Sequence, residues 1–276
     1  MLAINLTLYS ASAVLVWNWV HFLLCLYRKS KFEGRRLLLE SLAGLLLLSL
    51  FLILPGFLTD HQPLTSRAEI FGLYSWSILA VFLLLTRFNS LKSMGSLVLP
   101  VALLFLSLSF YQLSADSFST QSEVTKNTPF WIHIFFIVVA YGSFTVTFLM
   151  AVGYLRSEHQ LRAKSVDGFF FMLPSLEDLD GALQQSIWIG LGSLLSGILL
   201  AFLSGSLKGT LGTFWFLDPN VLGAIFTGVI YGTILFIRRR ALFTNRRIAY
   251  LAISGFVFIG ILFLSMNFLT QMHHFM

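Results

Sequence analysis

The groups in this chain best suited to chemistry are imidazoles at the ends of apolar runs. His133 stands at the start of one such run, behind Phe130 and Trp131, and His273-His274 close the last one. A neutral imidazole offers one ring nitrogen as a ligand, and two of them approaching from opposite sides can hold a metal ion or a haem iron. Histidines on separate helices at one membrane surface meet that requirement. The plainer reading stays open, in which a histidine at a helix end rests among lipid headgroups with its polar edge in water. On a helix His273 and His274 point about 100° apart, so spacing does not choose between them. The stretch from Gly209 to Asn220 is the second region of interest. Its Phe214-Trp215-Phe216 offers flat apolar surface, suited to packing on a macrocycle or to an aromatic belt at the membrane interface. Asp218-Pro219 reads as an N-cap followed by proline at the first helical position.

The elements that must position these groups are membrane spans. Of 276 residues 57% are hydrophobic and 11% charged, and the mean hydropathy is +0.84, a composition that excludes a soluble globule. Apolar runs recur near 3–27, 37–58, 69–86, 94–114, 130–154, 185–204, 221–237 and 248–270. Each is long enough to cross the ~30 Å hydrocarbon core as a helix. Backbone groups in lipid must be satisfied within the segment, and runs of about 20 residues are too long for barrel strands. The expected fold is all-α, a polytopic membrane helical bundle of about eight transmembrane helices, forming a single integral membrane domain over 1–276.

Basic residues set the orientation. With alternate loops taken as inside, 15 of the 18 lysines and arginines fall on one side, and only Arg67, Lys126 and Lys208 on the other. Both termini then lie on the outer face, as do His61, His133, His273, His274, Trp215 and Asp218. The net charge of +6 follows from this bias and gives no reason to expect nucleic acid as a partner. Cys25, the single cysteine, excludes an intrachain disulfide, a C-x-x-C redox pair and a cysteine metal cluster. The first apolar stretch is too long for a cleavable signal, and its basic cluster follows it, so it reads as a first span.

Connections are short apart from the polar outer loop 115–129 and the inner segment 155–184. In the latter, Phe169-Phe170-Phe171-Met172 has the look of an interfacial anchor. Ser175 with an acid three residues on has the form of a capping box, and Leu176, Leu179 and Leu183 at helical spacing extend an amphipathic lead-in to the sixth span. The glycines at 205, 209 and 212 make no nucleotide-binding fingerprint. His21 reads as a neutral packed histidine, His159 as a solvated one in a basic inner loop, and Glu40 and Glu69 as charges near span ends.

Five stretches together resemble the cytochrome c assembly protein family, the haem-handling membrane proteins of the CcsA and HemX type. The family's Trp-rich loop, W-G-x-x-W-x-W-D-P-K-E, is met by Leu211 to Val221 at Gly212, Trp215, Asp218 and Pro219. Asp60-His61-Gln62-Pro63-Leu64-Thr65-Ser66-Arg67-Ala68-Glu69, with Trp76 beyond, is similar to its G-H-x-P-x-S-N-x-Y-E segment. His133 with Tyr141 eight residues later resembles the start of its ligand-bearing helix, and Asn267 to His274 its final histidine segment. Leu173 to Glu177 is similar to the inner loop of HemX-type members. The resemblance covers roughly residues 55–276, in order.

What the resemblance implies is a haem b site on the outer face. His133 and His274 would be the axial ligands of its iron, the Trp215–Asp218 loop would cover the porphyrin, His273 would be a neighbour, and His61 and Glu69 would support the same face. The sequence departs from the family at Leu211 and Leu217, where the loop has tryptophans, at Asn220-Val221, and at Phe236, where haem-translocating members carry a histidine near the inner end of the seventh span. The leading expectation is a haem-binding membrane protein of the bacterial cytoplasmic membrane that is not an enzyme on its own, with apocytochrome c or another cytochrome-assembly membrane protein as partner. The alternative is a HemX-like regulatory or scaffolding membrane protein without haem transfer. A small-solute transporter fits less well, because the spans lack paired intramembrane charges and helices broken at matching positions.

Overall fold

A computed structural model describes residues 2–27, 34–58, 64, 66–115, 130–163, 174–208 and 219–273, with the side chains of the last helix described as far as Ile261. Eight helices account for it: α1 (Leu2–Tyr27), α2 (Gly34–Leu58), α3 (Arg67–Leu85), α4 (Gly95–Ala115), α5 (Phe130–Ala163), α6 (Leu176–Lys208), α7 (Pro219–Arg239) and α8 (Asn245–His273). Among the described residues there is no strand. The helices α1 to α7 are long and apolar enough to cross a membrane. This is the expected polytopic helical bundle, and each apolar run of the sequence has become one helix.

Two helices outrun their apolar runs. α5 is 34 residues long and α6 is 33, so each is about 50 Å, well beyond the hydrocarbon core. The inner segment begun as loop is thus helical up to Ala163, and His159, expected in a loop, is an exposed residue on the last turns of α5. Phe169 to Met172 lie outside the described residues. The cap foreseen at Ser175 is present: its Oγ accepts from Asp178 N at 3.0 Å and donates to Asp178 Oδ2 at 2.6 Å. The other Asp178 oxygen does not reach back to its own helix start. It accepts from Ser90 N at 3.1 Å, tying α6 to the turn between α3 and α4. Beside it Asn89 Nδ2 donates to Gln185 Oε1 at 2.9 Å. Leu179 and Leu183 are buried, as the lead-in spacing required.

The centre of the bundle is α3 and α5. In each, 61% of the most apolar stretch is buried, against 28–33% for α1, α2, α4, α6 and α7, which are covered on one side only. α5 packs on α6, α3 and α8, and α3 on α4 and α2. Between α5 and α6 the contact is close enough to exclude side chains: a Cβ at Gly190 would lie 2.5 Å from the Phe144 ring. Small polar groups add cross-links where helices meet, with Thr147 Oγ1 and Ser186 Oγ 2.8 Å apart and Trp76 Nε1 donating to Ser49 Oγ at 2.8 Å. On the other flank of α5, Phe148 stacks on Phe256 of α8 with centroids 4.8 Å apart.

The basic ends of the helices are joined by ion pairs. Asp180 of α6 accepts from both terminal guanidinium nitrogens of Arg238 and from the side-chain amide of Asn245, which clamps the end of α7 and the start of α8 to α6. Glu158 of α5 pairs with Arg162 at 2.7 Å and lies 3.6 Å from Arg246 at the start of α8. The α7–α8 turn closes with Leu242 N on Ile237 O at 3.1 Å and Ala241 N on Arg238 O at 3.0 Å, with Ala241 at φ 50°. That is a Schellman ending with alanine where glycine is usual.

Candidate functional site

His133 lies one turn inside the outer end of α5, on the side that faces α6. Its Nδ1 is 2.7 Å from the carbonyl oxygen of Gly197. A carbonyl only accepts, so Nδ1 carries the proton, and in the neutral ring the lone pair is then on Nε2. The contact depends on close approach of the two helices. A Cβ at Gly197 would stand 2.8 Å from Ile137 Cδ1, one turn along α5 from the histidine, so a larger residue would push the carbonyl away from the ring. Donation of the second ring N–H to a backbone carbonyl is the usual support of a metal-ligating histidine, because it fixes tautomer and ring plane together.

The opposite face of α5 at the same height is apolar. Trp131 and Phe135 flank His133 by two residues on either side, which turns them roughly 200° away from it around the helix. They line a cavity of about 530 Å³ between α2, α3 and α5, with Phe57, Leu64, Leu73 and Trp76. Trp76 packs against Phe135 at 5.9 Å. The end of α5 therefore separates a polar face toward α6 from an aromatic one toward α3.

The remaining expected site residues are described less fully. His61, Trp215, Asp218 and His274 lie outside the described residues, and His273 is the last described residue of α8, in backbone only. The Pro219 start foreseen for the seventh span is met. Depth along the bundle can still be followed. From the stacked Phe148–Phe256 pair, α5 runs outward about 22 Å to His133 and α8 runs outward about 25 Å to His273, each without interruption. Glu69 is buried and forms a reciprocal capping box for α3, with Ser66 N donating to Glu69 Oε2 and Glu69 N to Ser66 Oγ, both at 3.2 Å. Ser-x-x-Glu ahead of an apolar run was the sequence signal for that role.

A polar layer between α1 and α2 was not foreseen as a unit. His21 Nδ1 lies 3.7 Å from Glu40 Oε2, so this histidine is not packed among apolar side chains alone. Asn18, fully buried, donates to Leu37 O at 3.2 Å and Ser41 Oγ at 2.8 Å. Both His21 and Glu40 lie about two turns from the α1–α2 connection, one before it and one after, and that symmetry was the available signal. Phe236, at the position where the resemblance implies a histidine in some members, is 57% exposed to the surroundings of the bundle, its ring 5.7 Å under the Arg240 guanidinium.

These features define a multi-pass membrane protein with a histidine held by a backbone carbonyl at one end of its central helix. The chain belongs to the family described as Cytochrome C assembly protein, whose model matches residues 64–274. The match takes in His133, Trp215, Asp218, His273 and His274, and leaves out His61. The chain is similar to the cytochrome c biogenesis protein CcsA of Guillardia theta, 26% identical over 233 residues covering 78% of this chain and 77% of the relative. It is similar also to the CcsA of Prochlorococcus marinus strain MIT 9301, 25% identical over 265 residues covering 88% and 84%, and of Gloeobacter violaceus, 24% identical over 265 residues covering 78% of each. It is thus a divergent member of its family.

Proposed function

We propose that this protein binds haem b at the outer face of a bacterial cytoplasmic membrane and serves cytochrome c assembly, acting as one integral membrane domain. The observation that carries the reading is the bond from His133 Nδ1 to the Gly197 carbonyl, which fixes the ring plane and, in the neutral ring, puts the lone pair on Nε2. In this reading His133 and His274 would hold the haem iron, and Trp215, Asp218, His61 and His273 would be further haem-binding residues. The similar reach of α5 and α8 beyond the Phe148–Phe256 stack supports this pairing. Iron held by these two imidazoles would give a low-spin spectrum. The protein then orients the haem and maintains its iron, while the thiols that attach to haem belong to an apocytochrome c partner.

An absorption spectrum of detergent-solubilised protein after haem supplementation tests this. A low-spin Soret band is expected for the wild type, and its loss in the His133→Ala, His274→Ala double variant. A wild type with no band, or a band unchanged in the double variant, overturns the reading.

Phe236 favours a second reading, a HemX-like regulatory or scaffolding role without haem transfer, because phenylalanine cannot ligate iron at the inner face and here its ring contacts Arg240. Association with a haem-biosynthesis enzyme or another assembly protein that persists in His133→Ala would support it over the first.

A further inference from the structure

The basic end of the bundle carries more positive charge than its carboxylates answer. Arg238 is satisfied by Asp180, and Arg246 shares Glu158 with Arg162. Among the described residues no carboxylate lies within ion-pair distance of Arg239, Arg240 or Arg247, all exposed. Each instead rests over an aromatic ring: Arg239 over Trp188 at 4.9 Å, Arg240 over Phe236 at 5.7 Å and Arg247 over Phe243 at 5.6 Å. A ring beneath a guanidinium leaves its N–H edges available for an anion, and the planar fork suits a phosphate.

One of the three stands at the head of a groove. Along α8 a concave strip of about 670 Å³ is lined by Phe243, Arg247, Tyr250, Ser254, Val257 and Ile261, among others. Its one hydroxyl below the tyrosine, Ser254 Oγ, is already bonded to Leu251 O at 3.1 Å, so the strip asks for nothing polar. From Arg247 to Ile261 it runs about 21 Å, more than the roughly 15 Å depth of one hydrocarbon leaflet. A cation at the membrane surface and an open apolar strip along α8 below it, longer than one leaflet is deep, match the two parts of a lipid.

We propose that this groove binds an anionic glycerophospholipid of the inner leaflet, its phosphate on Arg247 within the field of Arg239 and Arg240, and one acyl chain along Tyr250, Ser254, Val257 and Ile261. The full groove has one charged end and a single apolar course, which selects a lipid anion over both free phosphate and a zwitterionic lipid.

Native mass spectrometry of the full chain tests the proposal, with phosphatidylglycerol and phosphatidylcholine of identical acyl chains added in equal amount. The wild type is expected to retain phosphatidylglycerol in preference, and inorganic phosphate is not expected to displace it. Arg247→Gln should lower that retention about five-fold while Arg247→Lys keeps most of it. Ser254→Trp, which fills the groove and leaves the charge, should lower it as well. Equal retention of the two lipids by the wild type overturns the proposal without recourse to any variant. So does displacement by inorganic phosphate, or retention indifferent to Arg247→Gln.

Discussion

His133 of α5 donates from Nδ1 to the carbonyl of Gly197 on α6 at 2.7 Å, across 64 residues of sequence. The bond joins a side chain to a backbone atom that no substitution removes, yet a substitution can displace it. Gly197→Ala would set a methyl against Ile137 Cδ1, 2.8 Å away. We expect a loss of about 1–3 kcal/mol in stability, the usual cost of overpacking. Ile137→Val in the same chain should recover part of it. Thermal unfolding in detergent reads both.

Replacing the histidine separates its two nitrogens. His133→Asn keeps a donor for the Gly197 carbonyl but offers no ring nitrogen, whereas His133→Ala keeps neither. The asparagine variant should unfold close to the wild type and the alanine variant lower by about 1 kcal/mol, the net value of one hydrogen bond. Both should fail to give the haem spectrum expected of the wild type. A normal spectrum from His133→Asn would remove the histidine from the proposed ligand set.

The Asp180–Arg238 clamp is largely shielded from solvent, with side chains 15% and 16% exposed. Asp180→Asn should cost about 1–3 kcal/mol, because it leaves a guanidinium with one amide oxygen in place of two charged ones. Adding Arg238→Gln should return part of that loss, and a double-mutant cycle on unfolding midpoints measures the coupling.

Tyr231 is fully buried and lies flat on Phe144, with centroids 3.9 Å apart and the rings 2° from parallel. Its hydroxyl has no hydrogen-bond partner among the described residues. Tyr231→Phe keeps the stack and removes the unpaired group, so it should stabilise by about 1 kcal/mol or more. A lower unfolding midpoint would mean that the hydroxyl is paired.

Ala241 holds a left-handed conformation at the end of α7, φ 50°. Glycine adopts that conformation without the Cβ penalty of about 1–2 kcal/mol, so Ala241→Gly should raise the unfolding midpoint. No change would place the strain elsewhere in the turn.

The residues that announced the fold were the apolar runs, since length alone distinguishes a membrane span from a buried core helix. Their rank within the bundle was hidden, because a helix apolar on all sides reads alike whether it faces lipid or protein. Nothing in the runs at 69–86 and 130–154 marked α3 and α5 as central. The cap at Ser175 was legible from its acid three residues on. The close of α7 was not, because Ala241 occupies the position where glycine would have signalled it. Within the site, His133 stood out by type and by its place at a span end. Its partner did not, because a carbonyl belongs to every residue and only the fold decides which one a ring reaches. The pairing of Asp180 with Arg238 was likewise unreadable, for it joins helices whose relative rotation no spacing encodes.

α5 and α6 outlast the bilayer on the basic side, and they do so as unbroken rods. Whatever docks there meets a stiff post. Because the rods that carry Glu158 and Asp180 near that surface also carry His133 and Gly197 toward the other, a tilt imposed from below has no joint to absorb it before it reaches the imidazole.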